Sequence, residues 1–127
     1  MIILGHKFFE HEKLYTVSSF EQIKNTPTNS TLLLNFQETD ILNFIKDLKE
    51  NSISFALEVQ SIKELIFANS FGAKFILIEE FLAIDAQKIA NEYLFDSKIL
   101  VKINSEEEIE KFALLGIDGV VFNEAIC

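Results

Sequence analysis

Short apolar runs, rich in β-branched and aromatic residues, alternate along the chain with amphipathic stretches of about ten to fourteen residues. Thr31–Phe36 reads as a strand. Thr39 then opens a helix in which Ile41, Leu42, Ile45 and Leu48 share one face, until Asn51 and Ser52 stop it. The same alternation gives strands at Ile53–Val59, Lys74–Ile78, Lys98–Ile103 and Gly119–Phe122, and a helix over Ile84–Phe95. Ser61-Ile62-Lys63-Glu64 and Ser105-Glu106-Glu107-Glu108 have capping-box spacing, in which a serine side chain caps a free helix N–H and a glutamate reaches back. Gly72 and Gly116 are placed to end the two helices that follow.

The N-terminal thirty residues follow the pattern less closely. Ile2–Phe9 reads as a strand, or as half of a hairpin with Leu14–Val17. Ser19-Phe20-Glu21-Gln22 starts a short helix that fades at Asn25, and Thr26–Ser30 is a turn-rich connector within one domain, residues 1–127. The strand runs are nearly continuous in apolar character, which suits parallel strands in right-handed βαβ units with helices on both faces. The expectation is therefore an α/β parallel sheet of five or six strands. It would be either open and doubly wound, as in flavodoxin-like folds, or a half-barrel whose edges pair with another copy, with the open sheet slightly favoured.

A shift of 44 residues superimposes Phe55 on Ile99, Ser61 on Ser105, Gly72 on Gly116 and Glu80 on Glu124 without a gap. It also places Glu58 on Lys102. Two readings are open: a duplicated βαβ segment, or two units that share caps and glycines for physical reasons.

From Leu57 onward the chain resembles the later part of a phosphate-binding (βα)₈ barrel, most specifically the indole-3-glycerol-phosphate synthase family. The resemblance rests on Leu57-Glu58-Val59 followed by Ser61, Glu64, Leu65 and Gly72-Ala73-Lys74. It continues at Ile109-Glu110-Lys111 and Gly116-Ile117-Asp118-Gly119-Val120-Val121, then Glu124-Ala125. It implies a barrel-type architecture with its site at the C-terminal ends of the strands, and it puts Glu58 on a family catalytic position. The departures from the family pattern are specific. Asn104 runs directly into Ser105 where a glycine phosphate loop belongs, and Asn123 replaces the glycine after the last strand. No lysine matches the family's early catalytic lysine. An eight-fold barrel also needs about 200 residues or more.

Composition narrows the function. The 11 positive charges are all lysines, set against 20 carboxylates, for a net charge of −9. Arginine is the usual fork for phosphates and base edges, and a net negative chain is repelled by phosphate backbones and anionic membranes. Nucleic-acid and membrane partners are therefore not expected. An AT-rich genome would produce the same bias, with the same electrostatic result. The one cysteine, Cys127, allows no disulfide within the chain. Neither a secretory leader nor a long apolar span is visible, so a cytoplasmic location is expected.

The strand ends collect Gln37, Glu38, Gln60, Glu79, Glu80, Asn104, Asn123 and Glu124, an acidic and amidic rim that suits cations, amines or hydroxyls better than phosphates. Glu58, Glu79, Lys102 and Asn104 are the ligand-binding candidates. Glu58 and Lys102 read either as a general acid–base pair or as a structural ion pair. His6 and His11 lie on opposite faces of a strand and cannot chelate one metal, and no metal or cofactor is expected. No phosphate-loop, dinucleotide or nucleophile-elbow motif occurs. Phe8, Phe9, Phe20, Phe81 and Phe95 could form a partner-binding patch if exposed. The first expectation is thus a non-enzymatic domain acting through protein contacts or self-association. The alternative is a small-molecule or divalent-cation binder, or a degenerate barrel-type enzyme, working at the strand ends.

Overall fold

The direction in which each strand residue points decides the architecture. In the computed structural model, which describes residues 1–10, 12–28 and 30–127 without the Phe20 side chain, seven parallel strands form one sheet. They are β1 (Ile2–Leu4), β2 (Leu14–Thr16), β3 (Thr31–Asn35), β4 (Phe55–Glu58), β5 (Phe75–Ile78), β6 (Lys98–Ile103) and β7 (Gly119–Phe122), in the order β1-β7-β6-β5-β4-β3-β2. The helices are α1 (Phe20–Ile23), α2 (Ile41–Glu50), α3 (Ile62–Phe71), α4 (Ala83–Glu92) and α5 (Glu107–Leu114).

From β2 to β7 the strand order never reverses. Right-handed crossovers then place every helix on the same face of the sheet. The packing follows this rule. Leu57, Ile76 and Val101 point to the helix side, where they meet Ile45, Leu65 and Phe112 in one apolar layer. The alternate strand residues, among them Leu33, Ala56, Leu77, Leu100 and Val121, gather in a second cluster that contains no residue of the five helices. The sheet is curled into a half-barrel, and its concave side is filled by its own side chains.

This corrects two expectations. The open, doubly wound flavodoxin-like sheet is excluded, because doubly wound sheets need a reversal of strand order and helices on both faces. The sheet also has seven strands rather than five or six, since the short β1 and β2 each pair into it. They do not form a hairpin: β1 lies on β7 and β2 on β3, at opposite ends of the order. The gap between them is narrowed by the last residues of the sequence. A short 3₁₀ turn, Asn123–Ala125, folds over the concave side, where Ala125 is fully buried. Beyond it, Cys127 N–H donates to Leu14 O and Thr16 N–H donates to Cys127 O.

The local signals act largely as the sequence suggests. Ser61 Oγ accepts from Glu64 N–H at 3.2 Å, while the Glu64 carboxylate accepts from Gln60 N–H. At the second box only the glutamate half forms: Glu108 accepts from the N–H groups of Asn104 and Ser105. Leu42 is exposed, and Phe44 packs on the core in its place.

Four helices are followed by a left-handed residue: Ser52, Gly72, Leu94 and Gly116. Leu94, at φ 52°, is strained where glycine would be free, and its side chain is 85% exposed. Leu94→Gly is expected to stabilise the protein by about 0.5–1 kcal/mol, raising Tm by roughly 2–4 °C in a thermal melt. A lowered Tm would mean that the leucine makes a contact worth more than its strain.

Candidate functional site at the C-terminal rim of the sheet

Because side chains alternate along strands, Glu58 near the end of β4 and Lys102 near the end of β6 both face the concave side, in phase with Ala56 and Leu100. Glu79, just past β5, lies between them. Lys102 Nζ donates to Glu58 Oε1 at 2.7 Å and reaches Glu79 Oε1 at 3.4 Å. Three of the four candidate residues therefore converge. Asn104 does not join them: it is exposed, and its backbone N–H is bound to Glu108. The pairing of Glu58 with Lys102 also joins the equivalent positions of the 44-residue repeat. The repeat holds in the structure, where β5 and β7 occupy equivalent spans and each is followed by a 3₁₀ turn.

The electrostatics limit what this triad can do. Burial works against the Lys102 ammonium. The hydrogen bond and charge of Glu58, followed by those of Glu79, outweigh it and hold the lysine pKa above its ordinary value. A lysine kept charged in this way is neither a general base nor an amine nucleophile at neutral pH. The group is a fixed cation between two carboxylates, with a net charge of −1. Clefts of about 340, 520 and 560 Å³ open elsewhere. The first lies between β2, β3 and the start of α2; the other two lie at the opposite end of the strands.

A second arrangement on the rim is invisible in the sequence. His6, after β1, is buried and bonds Glu106 Oε1 through Nε2 at 2.5 Å, across 100 residues. Phe8 N–H donates to His6 Nδ1. With that nitrogen accepting, Nε2 carries the proton and donates to Glu106, so both ring nitrogens are engaged. The imidazole packs against the rings of Phe8, Phe9 and Phe122. This pair fixes the segment after β1 to the loop after β6. His11 lies outside the described residues. Among the described residues, no three His, Cys, Asp or Glu side chains are arranged to hold a metal ion.

The hydrogen bond from His6 and the electrostatic attraction of its ring, with a smaller contribution from Lys7, hold the Glu106 carboxyl below the usual range. A depressed carboxyl stabilises the fold above its unfolded pKa, and that stabilisation is lost as pH falls through the folded value. Glu106→Gln is therefore expected to have a lower Tm than the parent at pH 6, with the two melting curves converging toward pH 3. A constant gap across that range would remove the titrating carboxylate as the cause.

Phe8 and Phe81 are each 74% exposed, and Ile84, one helical turn beyond Phe81, is 64% exposed; all three stand on this rim. Phe95 is half-buried against the core. Among the described residues no helix is long and apolar enough to cross a membrane. No protein-family model matches the chain, and no curated protein matches it significantly.

Proposed function

We propose that this protein acts through contacts with another protein rather than by catalysis, and that the C-terminal rim of the half-barrel is its contact face. The observation that carries this reading is the exposure of Phe8, Phe81 and Ile84 on the rim where barrel enzymes open their sites. The triad beside them supports it, because the one lysine is already engaged by two carboxylates and held charged. A photocrosslinking residue at position 81 is expected to give a discrete adduct in cells, and one at the solvent-facing Ser70 of α3 is expected to give none. Absence of an adduct at both 81 and 8 would overturn the reading.

A second reading is favoured by the convergence of Glu58, Glu79 and Lys102 on one face: a binding site for an amine, a hydroxylated small molecule or a divalent cation. It predicts a rise in Tm with one ligand class from a panel of metals, amines, nucleotides and phosphorylated metabolites, lost in Glu58→Gln. A ligand at a hundred times its Kd would add about 2.7 kcal/mol. The partial likeness to the indole-3-glycerol-phosphate synthase family belongs to this reading through Glu58 alone. Self-association fits a different face. Tyr93, Leu94 and Leu114 are exposed at the far ends of α4 and α5, away from the acidic rim that would repel a second copy. Sedimentation of Leu94→Ser/Leu114→Ser against the parent tests it.

A further inference from the structure

The chemistry of the partner is written in the segment between β6 and α5. Glu106, Glu107, Glu108 and Glu110 crowd five positions at the start of α5. Part of this charge is structural: carboxylates suit a helix N-terminus, Glu108 holds two backbone N–H groups, and Glu106 holds His6. Glu107 and Glu110 have no such partner among the described residues. The nearest cation in sequence, Lys111, is taken by Glu80, which lies in the 3₁₀ turn (Glu80–Leu82) that carries Phe81.

A hydrogen bond and an ion pair thus bracket this acidic segment, each beside an exposed phenylalanine. His6–Glu106 secures the segment carrying Phe8, whose ring stacks edge-on against the imidazole at 4.7 Å. Glu80–Lys111 secures the turn carrying Phe81 and, beyond it, Ile84. The result is an unsatisfied negative strip with apolar side chains standing at both ends. A second copy of a chain of charge −9 fits it badly. Resting on the protein-contact reading above, we infer that the rim from Phe8 across the start of α5 to Phe81 docks a lysine- or arginine-rich amphipathic segment of another protein. Its basic residues would meet Glu107 and Glu110, and its apolar residues would meet the two phenylalanines.

The test uses the whole chain and a synthetic 16-residue peptide of lysines and leucines in helical amphipathic order. Its comparators are a scrambled isomer of equal charge, spermine and Mg²⁺. The expected result is saturable one-to-one binding of the amphipathic peptide, at least tenfold tighter than its scrambled isomer, weakening at least tenfold between 50 and 500 mM salt. Phe8→Ser/Phe81→Ser and Glu107→Lys/Glu110→Lys are each expected to weaken it about tenfold. All four positions are exposed, and an unchanged thermal melt shows that the variants stay folded. Equal binding of both isomers, binding indifferent to the phenylalanines, or a response to spermine or Mg²⁺ alone would overturn the inference. If the peptide fails while crosslinking at position 81 still yields a discrete adduct, the partner is not basic and the contact reading stands. If both fail, both readings fall.

Discussion

Gly119→Ala is expected to destabilise the protein by about 2–3 kcal/mol, a fall in Tm of roughly 7–11 °C. Gly119 opens β7 on the concave side, where β1 lies against it in register with Ile2. A Cβ there would stand 2.6 Å from Ile2 O, 2.7 Å from Ile2 Cβ and 2.7 Å from Leu100 Cδ2. Leu100 is fully buried and cannot swing away, and the other two atoms belong to the neighbouring strand itself. Relief therefore requires β1 to move off β7. Gly72→Ala is the informative comparison. Nothing lies within 4 Å of its added Cβ, so only the left-handed φ of 88° resists the substitution, and a loss of about 1 kcal/mol is expected. Urea or thermal melts of the two variants separate crowding from backbone strain. Equal losses would contradict the close approach of β1 to β7.

Removing Ile126 and Cys127 is expected to cost a similar 2–3 kcal/mol. Two backbone hydrogen bonds to the outer edge of β2 disappear, each worth about 1 kcal/mol, together with the partial burial of Ile126 against the concave cluster. Thr16 N–H and Leu14 O are then left without those partners. An open strand edge templates further pairing, so the shortened chain is also expected to associate with rising concentration in size-exclusion chromatography. A shortened chain that melts like the parent would mean that the pairing at Leu14 contributes nothing.

Much of the fold is legible in the residues because each signal is local. The strands at Lys98–Ile103 and Gly119–Phe122 match β6 and β7 from end to end, and Gly72 and Gly116 both take the left-handed cap. The layering was not legible. Continuous apolar strands say that both faces are covered, but not by what. Whether the strand order reverses is a long-range property that no βαβ unit carries. Leu42 misleads for a simpler reason: Phe44 and Leu42 both fit an apolar stripe near that face, and only tertiary packing chooses between them. The convergence of Glu58 and Lys102 was prefigured by their equivalence in the repeat. Glu79 followed from its place at a strand end, whereas Asn104, one residue beyond β6, is claimed by the helix-start glutamate Glu108. His6 with Glu106 had no precursor at all, since nothing in either segment points to a partner 100 residues away.

The seam between β1 and β2 also bears on how the chain is made. Leu14 leaves the ribosome more than a hundred residues ahead of its partner Ile126. Strands β3 to β7 can accumulate one neighbour at a time as they emerge, each closing a short loop. The outer edge of β2 must wait through the synthesis of more than a hundred further residues. Throughout that interval the nascent protein carries a free strand edge along β2. The short length of β2, three residues, keeps that waiting edge a poor template for other chains.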